Sequence, residues 1–564
     1  MNSNKFIYLC ITVLLLVFLT ACGTDVESIL NTDNEEVELE YMIVDGGEVV
    51  LPLTPFNTLN PLLTSNLSYY YFSKLIFEGL FEFSENIEPV PQLAEAYNIV
   101  NDGSTILVKL REDAYWHDGE KFTSEDVFFT INVLLNSNVE TAYNSLSNTT
   151  TNIANSRVID DYNIEVNFSD SSSNNLDLLT FPIIASHKFA ANNIKTSYSK
   201  ALQLENYTPV GTGPFKFESF DKHKNISLKA NENYRFGKPS IENVLGKVLD
   251  NEELFITAYE AGQINITPVR GTDWDKYKEN PRIRALEYVS NDFDFLGFNY
   301  DNPIFSGENG VIIRKAINYA IDRQEIIQKT FLGHATQVDV PLHPNSYLLS
   351  EAANKYGYNP TASKELLDRA NIFDRDGDGV IEDESGNKMS FRLTTNPSNL
   401  YRHRVAEMIR DDLMEIGIEL VFDFNTSYER VKSLEQKNAE WDLLISKLKS
   451  GDYDIALLGW QLSFVPDLYS MYHSSQIGFN NFIKYNNANM DELLMEADLS
   501  YRREKKLSTY DKLQKYIVDE LPYISLYFRN KAILIDNTIV GQLTPNVSNP
   551  YKGLESCIIV LKLD

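Results

Sequence analysis

Cysteine is scarce in this 564-residue chain: three residues, at positions 10, 22 and 557, too few for a disulfide framework. Glycine and proline are modest, 26 and 20, which excludes collagen-like and low-complexity chains. Basic residues are outnumbered, 50 Lys and Arg against 80 Asp and Glu, for a formal net charge of −30. Such a chain repels phosphate backbones, so no nucleic-acid partner is expected. No run of apolar residues reaches the length of a membrane-spanning helix, about 20 residues. Catalytic and cofactor motifs are missing too. There is no G-x-S-x-G and no P-loop, and none of the seven histidines is followed by Glu. Pro214 breaks any dinucleotide fingerprint at Gly211-Thr212-Gly213. Histidines scattered over 117–473 leave no local zinc spacing. What is present is ordinary for a folded protein: 43% hydrophobic and 23% charged residues, with mass for several domains of about 150 residues.

The first residues indicate a destination. Lys5 is the only charged side chain before residue 25, and an apolar run follows from Phe6 to Leu19. That run is short for a membrane span and suits a signal-peptide core. Leu19-Thr20-Ala21-Cys22-Gly23 then resembles a bacterial lipobox, predicting cleavage after residue 21 and a diacylglycerol on Cys22. A plain leader or an N-terminal anchor helix is the competing reading. Residues 23–40 hold seven acids and no Lys or Arg, as a solvated tether does. Cys557, in the apolar run CIIVLKL, reads as a buried structural thiol.

Alternating strands and helices fill the body. Ile106–Leu110 and Ile164–Phe168 read as strands. Between them Thr123-Ser124-Glu125-Asp126 opens a helix with Val127, Ile131, Leu134 and Leu135 on one face. A long helix is predicted over Val311–Phe331. Residues 391–460 are the most informative: strand Phe391–Thr395, helix Arg402–Ile416 stopped by Gly417, strand Ile418–Phe422, a helix at 428–448, and strand Tyr453–Leu458. That order is the α/β signature of a largely parallel sheet, whose ligands sit beyond the strands' carboxyl ends. Gly459-Trp460 is expected just past the last strand, which makes Trp460 a binding candidate. A Trp packed as core under a loop is the alternative.

One metal-like pattern occurs. Asp374, Asp376 and Asp378 with Gly379 match positions 1, 3, 5 and 6 of an EF-hand loop. Position 12 is Ser385 instead of Glu, with Glu384 as the neighbouring substitute. An acidic turn before the Phe391 strand is the plainer reading, so calcium is a weak candidate and no cofactor is expected.

A series of motifs then occurs in order: Leu59-Asn60-Pro61-Leu62, Phe77-Glu78-Gly79-Leu80, Pro91-Gln92-Leu93-Ala94-Glu95, the run YWHDGEKFTSEDV from Tyr115 to Val127, Gly211-Thr212-Gly213-Pro214-Phe215, Asn231-Glu232-Asn233-Tyr234, RKAINYAIDR from Arg314 to Arg323, and YDIALLGW from Tyr453 to Trp460. Together, over about residues 45–535, they resemble family 5 of the extracellular solute-binding proteins of ABC transporters, the oligopeptide and dipeptide type.

The resemblance implies an α/β fold of the periplasmic-binding-protein kind: two lobes hinged over a ligand, the first lobe discontinuous with an inserted subdomain. Lobe one would be 41–288 and 528–564, its subdomain about 63–185, and lobe two 289–527, with crossovers near Glu287–Asn299 and Leu521–Asn530. It also implies a monomeric, lipid-anchored, non-enzymatic protein that holds a peptide ligand as an added strand and delivers it to permease subunits. The matching ligand positions are Ser65, Leu67 and Tyr143, then Gly459, Trp460 and Gln461. The family's ammonium-binding Asp falls on Ser463 here, and the nearest acid is Asp467. A hydroxyl cannot supply a charge-assisted bond. A non-peptide solute such as a nickel chelate or sugar is therefore the runner-up, ahead of a surface hydrolase or adhesin.

Overall fold

The computed structural model describes residues 41–562 apart from 45, 138–140, 142–151, 192, 204, 206, 270–272, 397 and 425–432. Cys22 and Tyr143 lie outside the described residues. No helix among them is long and apolar enough to cross a membrane.

The largest sheet is built around two long strands, Ile283–Phe298 and Tyr523–Asp536, which pair antiparallel. Their register breaks between Val289 and Phe293. Ile266–Val269 and Ala335–Thr336 add to the far side of Tyr523–Asp536, and Ile455–Gln461 pairs antiparallel with Ile283–Phe298. Beyond it Ser390–Thr395 and Glu419–Phe422 continue the sheet in parallel. The 391–460 run is thus the parallel part of a mixed sheet rather than a largely parallel one. The sheet's other partners come from more than 50 residues away on either side, and local periodicity does not reveal them.

Ile455 and Leu457 enter one buried cluster and Ala456 and Leu458 another, so this strand is covered on both faces. It also runs to Gln461, three residues past the expected end. Gly459 and Trp460 are therefore inside the strand, at its carboxyl end. The Leu400–Met414 helix buries Val405, Ala406, Ile409 and Leu413, and Gly417 follows with φ +81. Val311–Phe331 is two helices, Gly307–Ala320 and Arg323–Phe331. Ile321 is extended, and the Asp322 carboxylate accepts from Glu325 N at 2.8 Å, restarting the helix as an N-cap. The Ser124–Leu135 helix forms as expected, except that Leu135, on its last turn, is exposed.

Two four-stranded sheets lie outside this one. One combines Glu48–Leu53, Asn243–Val248, Asn225–Ala230 and Phe215–Asp221; the other is antiparallel, Ala94–Val100, Thr105–Leu110, Asn163–Phe168 and Ile153–Asp160.

Several sequence motifs turn out to converge on one buried carboxylate. Glu78 takes a bidentate pair from Arg235, both bonds 2.6 Å, plus Thr212 Oγ1 at 2.7 Å and Tyr234 Oη at 3.2 Å. Asn231 Nδ2 donates to Gly213 O nearby. Gly211 packs so closely on Ile76 that a Cβ would lie 1.8 Å from its carbonyl oxygen. Asp126 likewise gathers Trp116 Nε1, Thr123 N and Ser186 N and Oγ. Arg323 is buried against Asp339 at 2.6 Å and donates to Ser525 O and Tyr356 O. These motifs hold the scaffold.

Candidate functional site

The parallel neighbour of Ile455–Gln461 pairs with it only as far as Thr395 opposite Leu457. From Leu458 to Gln461 the strand keeps its partner on one side, Asp292–Phe295, and among the described residues has no strand on the other. Strand alternation sends Leu458 and Trp460 to one face and Gly459 and Gln461 to the opposite one.

Two cavities flank this edge, about 550 and 640 Å3, and share Asn291, Gln461 and Val547 in their walls. They form one cleft. Into the second face Leu67, Tyr71, Tyr288, Tyr401, Arg529 and Lys531. Its floor is charged. Arg402 Nε donates to Asp294 Oδ1 at 2.6 Å, Arg529 Nε lies 3.1 Å from Asp294 Oδ2, and Lys531 lies 3.1 Å from Asp292. Burial pushes the Asp292 carboxyl up, but Lys531 and Arg529 outweigh it and hold it below the usual carboxylate range. Gly459 fits here because a Cβ would sit 2.9 Å from the Phe293 carbonyl oxygen and 2.5 Å from Asp294 Oδ1, and would also displace the Arg402 guanidinium.

In the first cavity Trp460 is half-buried, edge-on to Phe295 with centroids 5.7 Å apart and tilted against Phe482 at 6.3 Å. Ser463 and Asp467 line the same cavity. Ser463 Oγ accepts from Val465 N at 3.1 Å. The Asp467 carboxylate caps the Leu468–Tyr472 helix, accepting from Ser470 N at 3.0 Å and Ser470 Oγ at 2.5 Å.

The model of the bacterial extracellular solute-binding proteins, family 5, matches residues 88–481. The chain belongs to that family. It is 26% identical to the oligopeptide-binding protein AppA of Bacillus subtilis over 548 residues, 96% of each chain. Among solved structures, the ABC transporter substrate-binding protein CtaP of Listeria monocytogenes superposes with a TM-score of 0.72 at 22% identity, covering 92% of this chain and 100% of that one. AppA of B. subtilis in complex with a nonapeptide gives 0.59 at 24%, with 92% and 100% covered. The fold is that of the two-lobed periplasmic binding proteins, and the named relatives are binding proteins, not enzymes.

Of the candidate site residues, Leu67, Gly459, Trp460, Gln461, Ser463 and Asp467 are all in the walls of the cleft, whereas Ser65 is exposed and lines neither cavity. Sequence reasoning passed over Asp292, Arg529 and Lys531. A signal existed: Arg529-Asn530-Lys531 interrupts an otherwise apolar strand.

The acidic loop is a separate feature. Carboxylate oxygens of Asp374, Asp376, Asp378 and Glu382 lie within 4.8 Å of one another. The fourth acid is Glu382, not Glu384, which accepts instead from Asn371 Nδ2 at 2.8 Å. Lys388 Nζ bonds Asp378 and lies 3.3 Å from Asp376, so a resident cation already neutralises part of the cluster.

Proposed function

We propose that this protein captures extracellular oligopeptides and hands them to an ABC importer, as a monomer held at the extracytoplasmic face of a bacterial membrane by lipid on Cys22. The strand edge at Leu458–Gln461, which has no strand partner among the described residues and is set between two joined cavities, carries the reading. A peptide laid along it gains main-chain hydrogen bonds that ignore side-chain identity, while the cavities receive side chains. The oligopeptide-binding relative supports the same ligand class. Lobe one is taken as 41–288 and 528–564, with its subdomain at about 63–185, and lobe two as 289–527. In support, the paired strands at the inferred crossovers lose register at residues 289–293, where a hinge needs slack. Ligand contacting both lobes favours closure by its differential affinity. No catalytic step enters the mechanism.

Trp460→Ala is the direct test. It is expected to weaken binding of a peptide mixture's preferred member by about 1–3 kcal/mol with the melting temperature little changed. A stability loss of about 3–5 kcal/mol with unchanged affinity would make Trp460 a core residue only. Scattering should also show a smaller radius of gyration at saturating peptide; an unchanged radius counts against the hinged trap.

A non-peptide solute in the same trap is the second reading, favoured by Ser463 at the ammonium position. For a nickel chelate the cleft offers His334 and His343. His343 is engaged on both nitrogens, by Val289 O and Asn345 N, whereas His334 is bonded at Nδ1 to Glu287 and its Nε2, 3.1 Å from Asp275 Oδ1, has no hydrogen-bond partner among the described residues.

Anchoring is tested apart from ligand. Cys22→Ala should move the protein from the membrane fraction to the soluble one; retention in the membrane fraction would refute lipidation at Cys22.

A further inference from the structure

The first cavity is unlike the second in its charge. Three of its lining residues can carry one: His343, Lys449 and Asp467. Burial drives the His343 pKa down to about 4. Asn345 N donates to its Nδ1 and its Nε2 sits 3.1 Å from Val289 O, so the ring is a neutral tautomer with both nitrogens engaged. Each Asp467 oxygen accepts one bond at the helix cap, from Ser470 N and Ser470 Oγ. Lys449 is an exposed residue on the last turn of the Leu434–Ser450 helix. The walls are Ile445, Leu448, Leu458, Trp460, Phe464 and Phe482, and Phe479 and Trp441 stand exposed at the rim.

An ammonium group entering this chamber would give up its hydration among mostly apolar walls, where the one carboxylate is already oriented by two hydrogen bonds at a helix cap. An aromatic or branched aliphatic group would instead gain from every apolar surface it buries there. We infer that the chamber beside Trp460 is a subsite for one bulky uncharged apolar side chain of the ligand, and that the ligand's α-ammonium is not anchored at Ser463 or Asp467. The inference rests on the proposed peptide reading for its ligand and sharpens it into a preference. Cavity volume, about 550 Å3, accommodates a side chain as large as Trp.

The test uses the mature protein and alanine pentapeptides carrying a single Phe, Leu, Lys or Glu at each position in turn, read by calorimetry. At one position Phe and Leu should bind at least tenfold more tightly than Ala, and Lys and Glu more weakly than Ala. N-acetylation of the preferred peptide should change its affinity less than threefold. Ile445→Asp, a half-buried wall position, should abolish the Phe preference while the melting temperature stays near wild type. Should that variant fail to fold, Leu458→Ala, which enlarges the chamber, should shift the preference from Leu toward Phe. Equal affinities at every position, a preference for Lys, or a tenfold loss on acetylation would overturn the subsite. The blocked amino acid N-acetyl-phenylalanine amide separates the two readings. If it binds Ile445-dependently by ligand-observed NMR while no pentapeptide binds, the subsite stands and the peptide reading falls; if neither binds, both fall.

Discussion

Glu78→Ala should lower the unfolding free energy by about 3–5 kcal/mol, because it strands Arg235 in the interior without its anion. The two side chains are only 1% and 5% exposed, so water cannot take the carboxylate's place. Thr212 and Tyr234 lose their acceptor in the same step, and each unsatisfied hydroxyl adds to the cost. Glu78→Gln keeps the shape and one acceptor oxygen and should cost clearly less. Chemical denaturation of the three proteins gives the comparison. Equal stability of wild type and Glu78→Ala would mean that the convergence of Phe77–Leu80, Gly211–Phe215 and Asn231–Tyr234 on this carboxylate is incidental to the fold.

That convergence also explains what the sequence could and could not reveal. The Leu400–Met414 helix and the Ile455–Gln461 strand are legible because their apolar spacing is local. The mixed sheet is not, since its central strands start about 240 residues apart in the chain, at Ile283 and Tyr523, and no periodicity records a pairing at that distance. The short motifs were informative about family but not about role. Glu78, Asp126 and Arg323 stand in them as buried hydrogen-bond hubs, and none lines the cleft. Trp460 is a candidate in the sequence because a strand end and a family match coincide on it, and it lies in the cleft wall. Asp292, Arg529 and Lys531 were not, because a charged floor assembled from two distant strands has no local signature. Asp467 has a second duty that spacing does not reveal: its carboxylate also caps the Leu468–Tyr472 helix, accepting from Ser470 N and Ser470 Oγ.

Lys506→Met should weaken ligand binding at neutral pH on the order of 100-fold and leave unfolding nearly unchanged. Lys506 Nζ donates to Ser173 O at 2.9 Å and lies 3.3 Å from Asp177 Oδ2, with the two side chains 4% and 2% exposed. Around this pair, Ser172 Oγ donates to Asp498 Oδ1 at 2.7 Å, Asn174 Nδ2 to Pro466 O at 3.0 Å and Tyr347 N to Asn86 O at 2.8 Å. On the proposed division every one of these bonds joins the subdomain of lobe one to lobe two, and of the residues in them only Pro466 is in the cleft wall. Opening would hydrate both charges, so the pair stabilises closure rather than the fold of either lobe. With Met at 506, closing buries Asp177 alone, about 3 kcal/mol less favourable by the usual cost of breaking a buried pair. The pH dependence has a definite sign. Burial already raises the Asp177 pKa, with Lys506 opposing it; removing Lys506 raises it further in the closed form only. Protonation then favours closure, so the variant's affinity should recover toward wild type as pH falls and worsen as pH rises through that raised value. Calorimetric titration at several pH values, with a denaturation curve at each, reads both quantities. Unchanged affinity with a stability loss of about 3–5 kcal/mol would place Lys506 and Asp177 within one rigid body and move the lobe boundary away from residues 289–527.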